Sequence, residues 1–199
     1  VLLAPMESLI FQKECQKYDA LWMNGYKDAN WKRLAKVGLK LAKDIANPSL
    51  IDFGFGNGSA MDFFENQGVY VEGVEISKYA VTTQQRKGRV VYHASLDNLQ
   101  MIPDNQFKIG FCNDVLEHIP EELVVPSLNE MARVCSDYLL ISVCPKPSHH
   151  LSLDGENLHL TIKPESWWEE LFQKYGNVRK IKFWFSRSAR YVIDLKPKA

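Results

Sequence analysis

The chain has 199 residues, and its 24 basic residues equal its 24 acidic residues, so the formal net charge at pH 7 is zero. Hydrophobic residues make up 46% and charged residues 24%, which is typical of a folded globular domain and excludes an intrinsically disordered chain. The sequence has no apolar run long enough to cross a bilayer, so we expect no membrane span. The balanced charge also disfavours nucleic acid as a partner of the whole surface.

Cysteine usage and the N-terminal sequence both predict a cytoplasmic protein. Residues 1–4 are too short to form the apolar core of a secretory signal. None of the four cysteines (Cys15, Cys112, Cys135 and Cys144) has C-x-x-C spacing, so we expect reduced core thiols rather than a disulfide framework. No linker-like segment divides the chain, which predicts a single domain over residues 1–199.

Hydrophobic periodicity predicts a helical N-terminal segment and then alternating strands and helices. Residues 6–46 form two helical stretches that are broken near Asn24 and Gly25. The predicted strands are 50–53, 69–74, 90–93, 107–112, 138–143, 179–185 and 189–195. The predicted helices between them are 59–67, 77–86, 120–134 and 164–175. Only three residues separate the last two strands, so these strands must pair antiparallel, because a parallel crossover needs a dozen or more residues.

This order of elements predicts an α/β fold of the doubly wound type. We expect a mostly parallel seven-stranded sheet with an antiparallel C-terminal hairpin strand and helices on both faces. In such a sheet, the ligand binds beyond the carboxyl ends of the strands, at the point where the strand order reverses. The predicted site therefore lies after the early strands.

The strongest local motif is DFGFGNG at residues 52–58, between a strand and a helix. Its glycines permit a tight turn and let a ligand approach the backbone. The spacing is G-x-G-x-G, and Ser59 stands where the dinucleotide-binding pattern requires Gly or Ala. The next strand ends at Glu75, and an acid at that position accepts hydrogen bonds from ribose hydroxyls. Together these two features predict a site for a nucleoside-containing cofactor.

With these motifs the chain resembles the class I S-adenosylmethionine-dependent methyltransferases. The resemblance rests on residues 52–58, on VEIS at 74–77 and on FKIGFCNDVLEHI at 107–119, and it covers residues 48–195. It implies methyl transfer with S-adenosylmethionine as the cofactor, on a Rossmann-like core of residues 48–199. It also implies that residues 1–47 form an N-terminal helical lid.

The resemblance assigns cofactor-binding roles to Asp52, Gly54, Gly56, Gly58, Glu75, Ile76, Ser95, Leu96, Asn113, Tyr18, Trp22 and Tyr26. Asp52 and the glycine backbone would hold the methionine part, and Asn113 would lie next to it. Glu75 would bind the ribose and Ile76 would pack on the adenine. Ser95 and Leu96 fall where the family often has an acid near the adenine amine, and here the acid, Asp97, stands two positions later.

The lid residues Tyr18, Trp22 and Tyr26 follow one another at spacings of four, which places them on one helical face. Such a stripe either lines the cofactor site or serves ordinary packing.

The candidate catalytic residues are His118, His150 and His159, because histidine is the natural base near neutral pH. The connection 145–163 is long enough to predict a functional loop on the substrate side. Its histidines have three interpretations: a base or substrate contact, a solvated position, or metal ligands with Asp154 or Glu156. Their spacing matches no compact zinc pattern, so we assign no metal site.

The sequence therefore predicts methyl transfer to a hydroxyl or amine of a small or medium-sized acceptor, such as a metabolite, a sugar or a lipid precursor. We expect a small-molecule partner and a monomer or homodimer. One alternative is an RNA or protein methyltransferase that uses the basic C-terminal segment, which contains Arg179, Lys180, Lys182, Arg187, Arg190, Lys196 and Lys198. Another is a non-catalytic, cofactor-binding regulatory partner.

Overall fold

The computed structural model describes residues 6–26, 30–152, 154–182 and 186–195. The helices are α1 (Met6–Met23), α2 (Trp31–Lys43), α3 (Ser59–Glu65), α4 (Lys78–Gln85), α5 (Glu121–Val134) and α6 (Glu165–Phe172). The strands are β1 (Ser49–Phe53), β2 (Tyr70–Glu75), β3 (Val91–His93), β4 (Phe107–Asn113), β5 (Cys135–Val143), β6 (Asn177–Ile181) and β7 (Ala189–Asp194). A single 3-10 turn, Leu116–His118, follows β4.

The seven strands form one sheet in the order β3-β2-β1-β4-β5-β7-β6. The pairs among β1 to β5 are parallel, whereas β7 pairs antiparallel with both β5 and β6. This confirms the predicted fold, including the antiparallel hairpin. The chain after β1 crosses to β2 on one side, and β4 lies on the other side, so the strand order reverses between β1 and β4.

Among the strands, β5 and β6 differ most from the predicted bounds, because strand pairing, not local apolar character, sets the ends of strands. Strand β5 begins at Cys135, directly after α5, because Cys135 pairs with Phe107. Strand β6 begins at Asn177, opposite Asp194, and ends at Ile181. The predicted extension through residues 183–185 lies outside the described residues.

Two hydrophobic clusters, one on each face, hold the sheet. One cluster includes Leu128 of α5 and Trp168 of α6, and the indole of Trp168 is fully buried. The other includes Leu34 of α2 and Phe64 of α3. Because both faces are covered, the carboxyl edge of the sheet is a fixed platform for the segments that follow β1, β2, β4 and β5.

The cysteines match the expectation of core thiols. Cys112, Cys135 and Cys144 are buried, Cys15 is partly buried, and all four are free of disulfide bonds. Among the described residues, none of the helices has both the length and the apolar character that a membrane span requires.

Candidate functional site

A cavity of about 1020 Å³ opens at the carboxyl ends of β1, β2 and β4. This volume is at the upper end of the usual range for small-molecule sites. The predicted cofactor residues that line it are Tyr18, Trp22, Tyr26, Asp52, Gly54, Gly56, Glu75, Ile76, Ser95, Leu96 and Asn113. The three candidate catalytic histidines also line it. One cavity therefore brings together residues from almost the whole length of the chain.

The glycine loop takes a backbone shape that other residues rarely adopt. Gly54 and Gly56 have φ angles of 72° and 54°. A Cβ at Gly54 would lie 2.6 Å from Cγ2 of Val115, and one at Gly56 would overlap the Trp22 indole. The missing side chains leave the loop backbone in close contact with groups around the cavity.

Gly58 does not line the cavity. It precedes α3 with a φ of 78°, and a Cβ there would meet the side chain of Gln84. The Gln84 amide donates to the carbonyl of Asn57 at 2.7 Å, which ties the glycine loop to α4. The structure therefore places Gly58 in a packing contact on the far side of the loop.

Glu75 ends β2 as a buried carboxylate at the wall of the cavity. Its Oε2 accepts from the Gly56 N–H at 2.9 Å, and its Oε1 accepts from the Ser77 N–H at 3.0 Å. Burial raises the pKa of Glu75, and these two N–H donors oppose that shift. The acid is thus held in one orientation beside the glycine loop.

The segment after β3 brings an acid to the cavity as well. Ser95 donates its hydroxyl hydrogen bond to the carboxylate of Asp97, and Ser95, Leu96 and Asp97 all line the cavity. Asp97 stands two positions later than the acid that the family often has, but its carboxylate still lies at this part of the cavity.

Helix α1 lies across the cavity and is anchored to α4. The carboxylate of Asp19 accepts from the Ser77 hydroxyl at 2.6 Å and from the Tyr79 N–H at 2.8 Å. Trp22 and Tyr26 meet edge to face, with ring centroids 5.4 Å apart. Tyr18, Trp22 and Tyr26 thus all line the cavity, but Tyr26 lies beyond the end of α1 at Met23 and does not share its helical face, because the chain turns at Asn24 and Gly25.

His118 is enclosed between α1 and the loop 145–163. Its Nδ1 lies 2.9 Å from the Tyr18 hydroxyl, and its ring centroid is 4.7 Å from that of His159. Burial lowers the pKa of His118 to about 3, with smaller contributions from His159 and Lys17. His118 is therefore a neutral imidazole throughout the physiological range.

The other two candidate histidines differ in exposure. His159 is half-buried, its Nδ1 lies 2.5 Å from the carbonyl oxygen of Lys146, and burial lowers its pKa. His150 is exposed, and its ring packs edge to face on Tyr26 with centroids 5.3 Å apart. Asp154 and Glu156, the carboxylates considered as metal ligands, are exposed and lie outside the cavity wall.

Glu117 is a site residue that sequence reasoning missed. Its side chain is fully buried, and its Oε1 accepts from the Cys144 N–H at 2.7 Å. Its backbone carbonyl accepts from the N–H groups of Leu160 and Thr161 at 2.8 and 3.0 Å. The available signal was its place in the LEH segment after β4, where a buried acid joins the sheet to the loop 145–163.

The chain is similar to known methyltransferases in sequence and in fold. A family model described as a methyltransferase domain matches residues 51–138. No curated protein sequence matches the chain.

Solved structures with similar folds include 1,6-didemethyltoxoflavin-N1-methyltransferase from Burkholderia thailandensis, with bound 1,6-didemethyltoxoflavin and S-adenosylhomocysteine. It has 16% identity and a TM-score of 0.68, over 98% of this chain and 90% of that one. Magnesium protoporphyrin IX methyltransferase from Synechocystis, with bound S-adenosylmethionine, has 16% identity and a TM-score of 0.66, over 98% and 100%. A [4+2]-cyclase has 17% identity and a TM-score of 0.62, over 86% and 74%. At these identities the likeness shows the fold.

The residues present fit S-adenosylmethionine. A glycine loop without side chains exposes its backbone, and a buried carboxylate at the end of β2 faces the same cavity. The matched domain covers the glycine loop, Glu75 and the LEH segment. Residues 51–138 therefore contain a methyltransferase domain, and the chain has the fold of the solved S-adenosylmethionine-dependent methyltransferases.

Proposed function

We propose that the chain transfers a methyl group to a hydroxyl or amine of a small or medium-sized acceptor, such as a metabolite, a sugar or a lipid precursor. The observation that carries this proposal is the single cavity that the cofactor residues share with three histidines. When bound, the cofactor supplies an already activated methyl group on its sulfonium. The main task of the protein is then to hold two molecules in line.

On the cofactor side, we assign binding to the residues at the ends of β1, β2 and β4. Asp52 and the backbone of Gly54 and Gly56 would hold the methionine part beside Asn113. Glu75 would accept from the ribose hydroxyls, because its carboxylate is buried and fixed by two N–H donors. Ile76, Ser95 and Leu96 would surround the adenine, and Asp97 is a further acceptor for its amine.

On the acceptor side, we assign the proton acceptor to His159. A base works best when its pKa lies near the operating pH, and a pKa of about 3 makes His118 a weak one. His118, bonded to Tyr18, would orient its neighbour and the acceptor. His150 would contact the acceptor from the exposed side.

The enclosure of the cavity favours a small acceptor. The proposed lid, within residues 1–47, contacts the turn after β4 through Tyr18 and His118. It contacts the loop 145–163, proposed as the substrate side, through Tyr26 and His150. The similar structures from Burkholderia and Synechocystis are also methyltransferases named after small molecules, 1,6-didemethyltoxoflavin and magnesium protoporphyrin IX. An acceptor bound between these two segments would be shielded from water.

The basic C-terminal segment supports RNA or protein as the acceptor less well. Arg190 is 2% exposed, so it belongs to the interior. Lys180 pairs with Glu165 and Glu169, the latter at 2.8 Å. Lys196 and Lys198 lie outside the described residues. Arg179, Lys182 and Arg187 are exposed, so the described part of this segment presents fewer basic side chains to a phosphate backbone than the sequence suggests.

A labelled-methyl experiment tests the acceptor class. The protein is incubated with methyl-labelled S-adenosylmethionine and with separate small-molecule, RNA and protein fractions of a cell extract. We expect label in the small-molecule fraction, reduced at least tenfold by His159→Gln. Label confined to RNA or protein would contradict the proposal, and full turnover by His159→Gln would contradict the base assignment alone.

Two buried glutamates of β2 provide a matched test of cofactor binding. Glu75→Gln should weaken S-adenosylmethionine binding by about 10- to 100-fold in calorimetry, because a charged acceptor is lost. Glu72→Gln is the control: its carboxylate is equally buried but is bonded to Tyr92 at 2.6 Å, away from the cavity. Equal affinities for the two variants would overturn the assignment of Glu75.

A further inference from the structure

Three side chains of metal-ligand type meet at one point of the cavity wall. One ligand atom each from Glu117, His118 and His159 lies within 4.8 Å of the other two. All three residues line the cavity beyond the ends of β4 and β5. No sequence spacing pointed to this group, because Glu117 and His118 follow β4 and His159 comes from the distant loop 145–163.

Hydrogen bonds orient two of the three ligands, His159 and Glu117, as metal sites usually do. The Nδ1 of His159 lies 2.5 Å from the carbonyl oxygen of Lys146, so Nδ1 carries the proton and Nε2 keeps its lone pair. Backbone hydrogen bonds from Leu160 and Thr161 to the Glu117 carbonyl hold the loop against the turn after β4. The Glu117 carboxylate is itself oriented by the Cys144 N–H at 2.7 Å.

The donor types also suit a transition-metal cation. Two neutral imidazoles and one carboxylate form a donor set that suits zinc and iron(II). Calcium and magnesium prefer sites made of oxygen atoms.

We propose that Glu117, His118 and His159 form a binding site for one divalent transition-metal cation of the zinc type, with its open coordination position facing the cavity. The ion would occupy the Nε2 lone pair of His159, so in the metal-bound form Lewis-acid activation of an acceptor oxygen would replace proton abstraction by His159. The Tyr18 hydroxyl, 2.9 Å from His118 Nδ1, is the group that would adjust when the ion binds.

The test needs neither cofactor nor acceptor. The purified protein is stripped with EDTA and titrated with Zn²⁺ alone in a calorimeter, and Co²⁺ is used in parallel to report coordination by its visible absorption. We expect one ion per chain, with an affinity that falls about 100-fold or more in His159→Ala and in Glu117→Gln. Glu117→Gln retains an oxygen acceptor for the Cys144 N–H, which favours a folded variant.

His149→Ala is the matched control, because it removes an exposed histidine of the same loop that lies outside the group. It should bind Zn²⁺ like the wild type, and circular dichroism should show all variants folded. If Glu117→Gln fails to fold, His159→Ala decides alone, because its side chain is only half-buried. No stoichiometric binding by the wild type, or binding that depends on His149 rather than His159, would overturn the proposal. The proposed methyl transfer would survive either result, because it does not require the ion.

Discussion

Single residues of the glycine loop carry two separate constraints, backbone shape and close packing. Gly56 has a φ of 54°, and its Cα faces the Trp22 indole without room for a Cβ. Gly88 has a φ of 83° but has open space where a Cβ would be. Comparing the two positions separates the cost of the backbone conformation from the cost of the contact with α1.

Gly56→Ala should therefore destabilise the fold more than Gly88→Ala. Both variants pay about 1 kcal/mol for a left-handed alanine, and Gly56→Ala adds an overlap of about 1–3 kcal/mol. Urea unfolding measures the difference, and calorimetry should show that only Gly56→Ala loses affinity for S-adenosylmethionine. Equal stability of the two variants would mean that Trp22 does not rest on the glycine loop.

At the scale of elements, two polar contacts of unequal strength join α1 to the start of α4 and to the loop 145–163. The Asp19 carboxylate accepts two hydrogen bonds at the start of α4, where it also meets the positive end of the helix. The ion pair between Lys13 of α1 and Glu156 is 3.5 Å long, and both side chains are more than half exposed. The contact of Asp19 with α4 should hold α1 in place, and the exposed ion pair of Lys13 should contribute little to its stability there.

Asp19→Ala should release α1, while Lys13→Ala should not. The loss of the capping carboxylate costs about 1 kcal/mol and leaves the Tyr79 N–H without this acceptor. Hydrogen exchange should become about fivefold faster in α1 of Asp19→Ala at that cost. Unchanged exchange in Asp19→Ala, or equal acceleration in Lys13→Ala, would show that α1 is held by other contacts.

At the scale of the whole molecule, the buried histidines link folding to pH. The folded-state pKa of His118 is about 3, below its ordinary value of 6.5, so the unfolded chain binds the extra proton between these values. The contribution of neutral His118 to the free energy of unfolding is therefore fully present above pH 6.5, and it is lost as the pH drops toward 3. His159 shifts in the same direction.

Urea unfolding of EDTA-treated protein at pH 7.5 and pH 5 tests this linkage. We expect the wild type to lose about 2 kcal/mol of unfolding free energy from His118 alone. His118→Asn should lose less over the same interval, because the titrating group is gone. An identical loss in both proteins would show that His118 is not held neutral by burial.

Much of the fold was predictable because its signals are local. The alternation of apolar strands and amphipathic helices predicted the seven strands. The loop of residues 52–58 and Glu75 predicted a cofactor site, and the structure places both at one cavity. The exact ends of β5 and β6 were not predictable, because Cys135 and Asn177 join their strands through partners distant in the chain.

The sequence by itself determined the α/β class, the antiparallel final hairpin and the cofactor motif, since each depends on spacing within a short segment. Only the tertiary structure decided that β7 lies between β5 and β6, that Gly58 packs on α4 and that Trp22 rests on Gly56. It also decided that His159 meets Glu117 and His118. These contacts depend on how a loop or helix folds back across the sheet edge, and that path is set by hydrogen bonds between residues far apart in the chain, such as those from Leu160 and Thr161 to Glu117.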